Sequence, residues 1–420
     1  MLTSVLPAQD YWVSYSKTIY ASGKSGVKFK LKAYTRTDAT DADAGLRLWI
    51  RFEGNGDSNF PDAINEMPIK SKDWKELFVE GVVGRDYNQI ALGVMSAYNG
   101  KFFLDDMTLE IQDADGRWRN IYEDGFESET QSRDWVQGMT KDLGKNEFFK
   151  QQISSDLSRS GKHCLLISGT NVPNYGTNTS VGRYSRVNGI DLYYESYGTG
   201  KPLVILHGNG GSIATAGQHL PHFAQRYKVI AVDSRAQGKS IDNDTELTYE
   251  LMASDINALL DELQIDSALI WGHSDGAILA LVLALNHPKK VKKVVAFAAN
   301  VLPDTIGIEQ PIFRHIQKTI STTSNRKQKQ LYTLMYKHPN INPSRLRQIR
   351  ADILVMSGDR DFVPLSHTLD IFRNIPNSNL CVIPGATHAA AWEKPKLFQE
   401  LVIDFLEKPI AKPNTADWFK

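Results

Sequence analysis

The chain of 420 residues is too long for one ordinary hydrophobic core, so two domains are expected. Its 48 Lys and Arg balance 48 Asp and Glu, with a pI near 7.2 and no long basic block, which argues against nucleic acid or an anionic membrane as partner and favours a small or neutral substrate. Cys164 and Cys381 lie far apart, which excludes a disulfide framework and a Cys-rich metal cluster. The opening Met1-Leu2-Thr3-Ser4-Val5-Leu6-Pro7 lacks a charged stretch followed by an apolar one. No secretory signal is expected from it, and a secreted or periplasmic location would require a leader already removed. No run approaches the roughly 20 apolar residues needed to span a bilayer.

Residues 1–175 are expected to form an all-β domain. Val27, Phe29, Leu31 and Ala33 alternate with Lys28, Lys30 and Lys32, the period of a half-buried strand. Short runs of the same kind follow at 46–52, 77–79, 90–94, 102–104 and 164–167, separated by turns such as Glu53-Gly54-Asn55-Gly56-Asp57. This pattern predicts a β-sandwich. The stretch Phe103-Leu104-Asp105-Asp106-Met107-Thr108-Leu109 resembles the closing strand of jelly-roll, carbohydrate-binding-module-like domains. That resemblance implies a jelly roll and a glycan partner for the first domain. In that family a Gly-Phe-Glu element, a Trp and a Ser-Gly-Lys strand come first, whereas Gly125-Phe126-Glu127, Trp135 and Ser160-Gly161-Lys162 come last here. A circularly permuted module is therefore expected. Tyr11, Trp12, Trp49 and Trp74 are candidates for stacking on sugar rings, although most such aromatics fill cores.

Between Gly169 and Gly182 the composition is that of an irregular connector, with Thr170, Asn171, Pro173, Asn174, Gly176 and Thr177, and the domain boundary is placed there. From Ile190 onward, apolar runs at 203–206, 229–232, 268–271, 294–297, 353–356 and 380–383 alternate with helical patterns. A mostly parallel sheet covered on both faces by helices is predicted for residues 181–420. Residues from about 301 to 350 break the rhythm with Lys- and Arg-rich helical sequence, read as a small helical cap.

The strand at 268–271 runs into Gly272-His273-Ser274-Asp275-Gly276 and then into a helix-forming run from Ala277. A nucleophile on such a turn needs a strained backbone, and glycines two positions either side make room for it. A serine hydroxyl also needs a base and an acid to orient that base. Ser357-Gly358-Asp359-Arg360-Asp361 follows the strand at 353–356, and Pro384-Gly385-Ala386-Thr387-His388 follows the strand at 380–383. The order Ser, Asp, His matches that of α/β-hydrolases. His273 is expected to point away from the turn along the strand alternation, as a packed residue or a pocket liner.

Residues 181–420 resemble the α/β-hydrolase superfamily over essentially the whole second domain. The resemblance implies Ser274 as nucleophile, His388 as base and Asp361, rather than Asp359, as the orienting acid. It implies an oxyanion hole from the backbone N–H groups of Asp275 and, in His207-Gly208-Asn209-Gly210-Gly211, of Asn209. Asp359 is read as a turn-stabilising carboxylate. Asp233-Ser234-Arg235-Ala236-Gln237-Gly238-Lys239-Ser240 matches a structural loop of the family, except that Ala236 stands where a glycine is usual. The pair Ser274-Asp275 resembles the biphenyl-hydrolase-like and valacyclovir hydrolase group. If the Asp275 carboxylate faced the pocket, substrates with an ammonium group would be favoured; the alternative is that it caps the following helix.

The expected function is hydrolysis of a small carboxylic ester through an acyl-enzyme, with no metal or other cofactor. Aminopeptidase, amidase and carbon–carbon bond hydrolysis remain open on the same triad. So does a carbohydrate-binding protein in which the hydrolase fold is a scaffold.

Overall fold

The computed structural model describes residues 12–413 and 415, apart from 40, 42–43, 55–62, 65–69, 114, 129–134, 139–147 and 244. The chain divides into two compact units, Asp10–Thr177 and Asn178–Lys420. No helix among the described residues is long and apolar enough to cross a membrane.

The first unit is built of strands. In chain order they are β1 (Trp12–Ile19), β2 (Lys28–Ala39), β3 (Gly45–Glu53), β4 (Ala63–Ile64), β5 (Lys75–Val82) and β6 (Gln89–Ala97). Then come β7 (Gly100–Gln112), β8 (Trp118–Asp124), β9 (Val136–Gly138), β10 (Phe149–Ser154) and β11 (Cys164–Gly169). One sheet runs β4-β3-β6-β1-β9 and the other β10-β11-β7-β2-β5, with β8 also pairing β7. Both sheets feed one apolar core, to which Tyr15, Leu48 and Leu92 contribute from the first and Leu31, Leu104 and Ile167 from the second. On β2, Phe29, Leu31 and Ala33 point inward, while Lys30 pairs with Glu80 on β5 at 3.2 Å and Lys32 with Glu110 on β7 at 2.6 Å. Each exposed pair of this kind contributes at most about 1 kcal/mol, so the buried face holds the strand.

The second unit is an eight-stranded sheet. It opens with β12 (Gly182–Val187) and β13 (Ile190–Tyr197), an antiparallel hairpin whose Asn188 and Gly189 both have positive φ. Such Asn-Gly turns match the twist of paired strands. β14 (Lys201–Leu206), β15 (Tyr227–Val232), β16 (Ala268–His273), β17 (Val291–Phe297), β18 (Asp352–Gly358) and β19 (Ser378–Ile383) follow. The sheet order is β12-β13-β15-β14-β16-β17-β18-β19, parallel from β15 onward. The helices are α1 (Leu220–Ala224), α2 (Tyr249–Glu262), α3 (Asp275–Asn286), α4 (Gln310–Thr322), α5 (Arg326–Lys337), α6 (Leu365–Asn374), α7 (Ala390–Glu393) and α8 (Pro395–Glu407).

The helix α3 is apolar on every side, from Ala277 to Ala284, and is buried throughout, as an all-round apolar helix must be. In contrast, α4 and α5 form a helical pair inserted between β17 and β18, with their own small core of Ile308, Ile316 and Tyr332. The loops after β14, β16, β18 and β19 all leave the carboxyl edge of the parallel sheet, where ligands of open α/β sheets collect.

Candidate active site

Ser274 sits between β16 and α3 with φ 53° and ψ −118°, a conformation that L-residues adopt only under constraint. The constraint is visible in its neighbours. A Cβ on Gly272 would lie 2.1 Å from the Gly276 carbonyl oxygen, and one on Gly276 would lie 2.1 Å from that of Leu206. No side chain fits at either position, so both glycines are fixed by close backbone approach. The backbone is held from outside as well, since the Ser274 N–H donates to the Phe297 carbonyl at 2.9 Å.

Asp361 and His388 leave neighbouring strands, β18 and β19, and meet at the edge. His388 Nδ1 donates to Asp361 Oδ1 at 2.7 Å, and the Val363 N–H donates to the same oxygen at 3.0 Å. The Asp361 side chain is 1% exposed and that of His388 17%. Asp359 makes no such contact; its Oδ1 accepts from the Ala386 N–H at 3.1 Å and ties the two loops together. Backbone donors at Gly385 and Ala386 hold its carboxyl below the usual carboxylate range.

The loop after β14 passes directly beside Ser274. A Cβ on Gly208 would come within 3.2 Å of Ser274 Cβ and 3.0 Å of His273 Nδ1. The Gly210 N–H donates to Gln237 Oε1 at 2.6 Å, which anchors the loop to the segment after β15. Asn209 directs its side chain inward, donating to Asp275 Oδ2 at 2.9 Å and to the Leu331 carbonyl of α5 at 3.2 Å.

Asp275 is the first residue of α3, where an anion is favoured by the helix dipole, but its carboxylate is only 4% exposed. It takes donors from Asn209 and from the hydroxyl of Tyr249 at the start of α2. Burial outweighs these bonds and pushes its pKa up to about 6. The carboxylate is thus enclosed by its own protein at the start of α3, closer to the helix-end alternative than to an anion facing the pocket. His273 is likewise packed, 3% exposed, rather than lining a pocket. It stacks on Phe297, with ring centroids 5.2 Å apart, and its Nε2–H donates to the His388 carbonyl at 3.1 Å. Burial holds its pKa well below the ordinary value.

Three contributors carried no sequence signal. Tyr249 reaches Asp275 from 26 positions upstream, Gln237 pins Gly210, and Phe362 stacks on the His388 ring at 3.9 Å and 27°. Phe362 also packs against the core of the α4–α5 pair. Among the described residues no group of three or more His, Cys, Asp or Glu is placed to hold a metal.

In the first unit, Trp49 is 8% exposed and donates its indole N–H to Ser14 Oγ at 3.0 Å, and Trp74 packs against Phe103, Cys164 and Leu166. Trp49 is therefore a core residue, and Trp74 is half-buried. Tyr11 and the Trp12 side chain lie outside the described residues. The separated motifs do meet in space: Glu127 Oε1 accepts from the N–H groups of Lys162 and His163, and Asp105 Oδ2 from those of Arg159 and Ser160.

A family model described as alpha/beta hydrolase fold matches residues 201–314. A 2-hydroxy-6-oxononadienedioate/2-hydroxy-6-oxononatrienedioate hydrolase of Pseudomonas putida is 29% identical over 281 residues, covering 54% of this chain and 97% of that protein. A 2-hydroxy-6-oxo-6-phenylhexa-2,4-dienoate hydrolase of Burkholderia cepacia is 27% identical over 262 residues, covering 51% and 91%. Among solved structures, Est816, described as an N-acyl homoserine lactone degrading enzyme, is 26% identical with a TM-score of 0.46, covering 53% of this chain and all of its own. With its strand order, its nucleophile-type turn and the family match in hand, the second unit has the α/β-hydrolase fold, and the relatives that the chain matches are hydrolases.

Proposed function

We propose that the protein is a serine hydrolase that cleaves a small, neutral carboxylic ester through an acyl-enzyme. The observation that carries this reading is the 2.7 Å bond between His388 Nδ1 and Asp361 Oδ1 on loops flanking the strained Ser274 turn. With Nδ1–H held by the acid, the His388 ring presents Nε2 as the base. Ser274 Oγ attacks the carbonyl carbon as its proton passes to Nε2. The oxyanion is received by the backbone N–H groups of Asn209 and Asp275. Collapse breaks the ester C–O bond, and the alkoxide takes the proton from His388. Water then attacks the acyl-enzyme with His388 again as base, releasing the acid and restoring Ser274.

A second reading, carbon–carbon bond hydrolysis, is favoured by the names of the Pseudomonas and Burkholderia relatives, whose named substrates are oxo-dienoates. Charge weighs towards the ester. Among the described residues, the buried cations of this unit are Arg235, paired to Asp255 at 2.7 Å, and Lys293, which donates to the Phe405 carbonyl at 2.9 Å. Both are already partnered, so among the described residues a dienoate's carboxylate meets no free buried cation of this unit, whereas a neutral ester needs none.

The test is a panel of p-nitrophenyl esters of increasing acyl length, amino-acyl esters, an aryl amide and a 2-hydroxy-6-oxo-dienoate, run on wild type and Ser274→Ala. A fluorophosphonate probe should label wild type only. Absence of labelling on folded wild-type protein would remove the serine-hydrolase reading, and preference for the dienoate would select the second one. For the first unit we propose a jelly-roll, carbohydrate-binding-module-like domain taking a glycan. The meeting of Gly125-Phe126-Glu127 with Ser160-Gly161-Lys162 supports it, and a glycan array without any hit would argue against it.

A further inference from the structure

We propose that the Asp275 carboxylate is a positioning residue: it holds the Asn209 loop against the nucleophile helix so that the two backbone N–H groups of the oxyanion hole stay aimed at one point. The inference rests on the serine-hydrolase reading above and assigns the side chain of a residue which that reading uses only through its backbone.

Asn209 has one side-chain amide group with two hydrogens, and both are used. One goes to Asp275 Oδ2 at the start of α3, the other to the Leu331 carbonyl of α5. The residue that offers one oxyanion donor is therefore clasped between the residue that offers the other and the helical pair over the site. Tyr249 completes the clasp from α2 as a second donor to the same carboxylate. Two helices and one loop converge on Asp275, which is 4% exposed, and α5 holds that loop from its other side.

The clasp also answers an electrostatic difficulty. An anion beside a forming oxyanion raises the barrier, because like charges repel most strongly where water is excluded. The Asn209 amide on the Asp275 carboxylate, with Tyr249 as a further stabilising group, offsets its charge, and burial leaves it little surface for a substrate cation. A receptor for an ammonium group would need the opposite arrangement, with an oxygen open to the pocket.

The experiment compares Asp275→Ala, Asn209→Asp and the reciprocal double variant Asp275→Asn/Asn209→Asp in the full chain, with a p-nitrophenyl ester and an amino-acyl ester. Thermal melts report folding. Asp275→Ala should lower kcat on both esters by about 10- to 100-fold with KM changed by less than about threefold, since a misaimed donor acts on the transition state. Asn209→Asp alone sets two carboxylates against each other and should lose as much. The double variant restores an amide-to-carboxylate bond in reverse and should recover about tenfold in kcat. Unchanged kcat in folded Asp275→Ala overturns the proposal, as does a double variant no better than Asn209→Asp. A KM rise confined to the amino-acyl ester also overturns it, in favour of an ammonium receptor. Should Asp275→Ala not fold, the comparison of Asn209→Asp with the double variant decides alone, because both keep polar groups at both positions. Failure of the underlying reading shows separately, as wild-type protein that a fluorophosphonate does not label.

Discussion

Asp105 in the first unit and Asp361 and Asp275 in the second are all buried carboxylates, yet their donors differ in kind. Asp105 accepts three backbone N–H groups, from Asp106, Arg159 and Ser160. Burial still raises its pKa, so the bonds compensate desolvation only in part. Its donors belong to the chain path, and its work is to fix that path. Asp361 accepts one backbone N–H, from Val363, but Asp361 and Asp275 also take side-chain partners, His388, Asn209 and Tyr249, brought from other loops and helices. A histidine donor can titrate and a side chain can move, whereas a backbone amide does neither. These three acids thus differ in what they hold, a chain path at Asp105 and side chains from distant elements at Asp361 and Asp275.

Substitution at both kinds of site puts this contrast at risk. Ser274→Ala should remove ester hydrolysis by a factor on the order of 10⁵ to 10⁶ in kcat while leaving the melting temperature in place. Asp361→Asn should cost on the order of 10⁴ in kcat, because His388 loses the partner that fixes its tautomer. Asp105→Ala should do the reverse. It removes the acceptor of three partly buried N–H groups, so a loss of about 1–3 kcal/mol in the stability of the first unit is expected from urea unfolding, with kcat per folded molecule unchanged. A large kcat loss in that variant would mean that the first unit takes part in the chemistry.

How far the sequence announced this arrangement depends on the range over which each feature is encoded. The parallel strands and the Ser274 turn are local: an apolar run, two glycines and a helix former lie within a dozen residues. Asp361 could be preferred to Asp359 by motif, and the geometry separates them by which one reaches His388. β1, β8 and β10 carry no clear signal, because their polar and aromatic residues blur the period of two. β12 and its Asn188–Gly189 turn are equally faint, with only Ser185 and Val187 of the strand buried. The clasp around Asp275 is illegible for another reason. Asn209 and Tyr249 are 66 and 26 positions away from it, and nothing in either neighbourhood names a carboxylate as its partner.

Acid should also separate the units. His207 and His219 are buried with pKa values lowered to about 4 and about 3, and His273 is well below its ordinary value. Unfolding returns each to about 6.5, so below that pH the unfolded state binds more protons and stability falls as pH falls. Asp233 and Asp275, raised to about 6, act in the opposite sense, since the folded state binds their protons first between pH 6 and their unfolded value of 3.8. His367 is buried and lowered as well, so four histidines oppose two carboxylates and stability falls on balance as pH falls between about 6 and 4. The first unit has no buried histidine among its described residues. In calorimetry from pH 7 to 5, the transition of the second unit should move down relative to that of the first. A constant separation would mean that these histidines are already charged in the folded state.

The smallest effect is expected at Ala236, which stands where the family that the second unit resembles usually has a glycine. Ala236 has φ 62° and is 3% exposed, beside Arg235, whose guanidinium is buried against Asp255. An L-residue in that region is strained by roughly 1–2 kcal/mol, which favours glycine. Against it stand the extra backbone entropy of glycine in the unfolded chain, about 0.5–1 kcal/mol, and the burial of one methyl, about 0.8 kcal/mol. The sums nearly cancel, so Ala236→Gly should shift stability by less than about 0.5 kcal/mol, read as an almost unchanged urea midpoint. A gain above about 1 kcal/mol would show that the methyl is poorly packed and that the Arg235 loop is held in place against its own backbone preference. A comparable loss would show that alanine's methyl, and not the turn, keeps the loop closed over the Arg235–Asp255 pair.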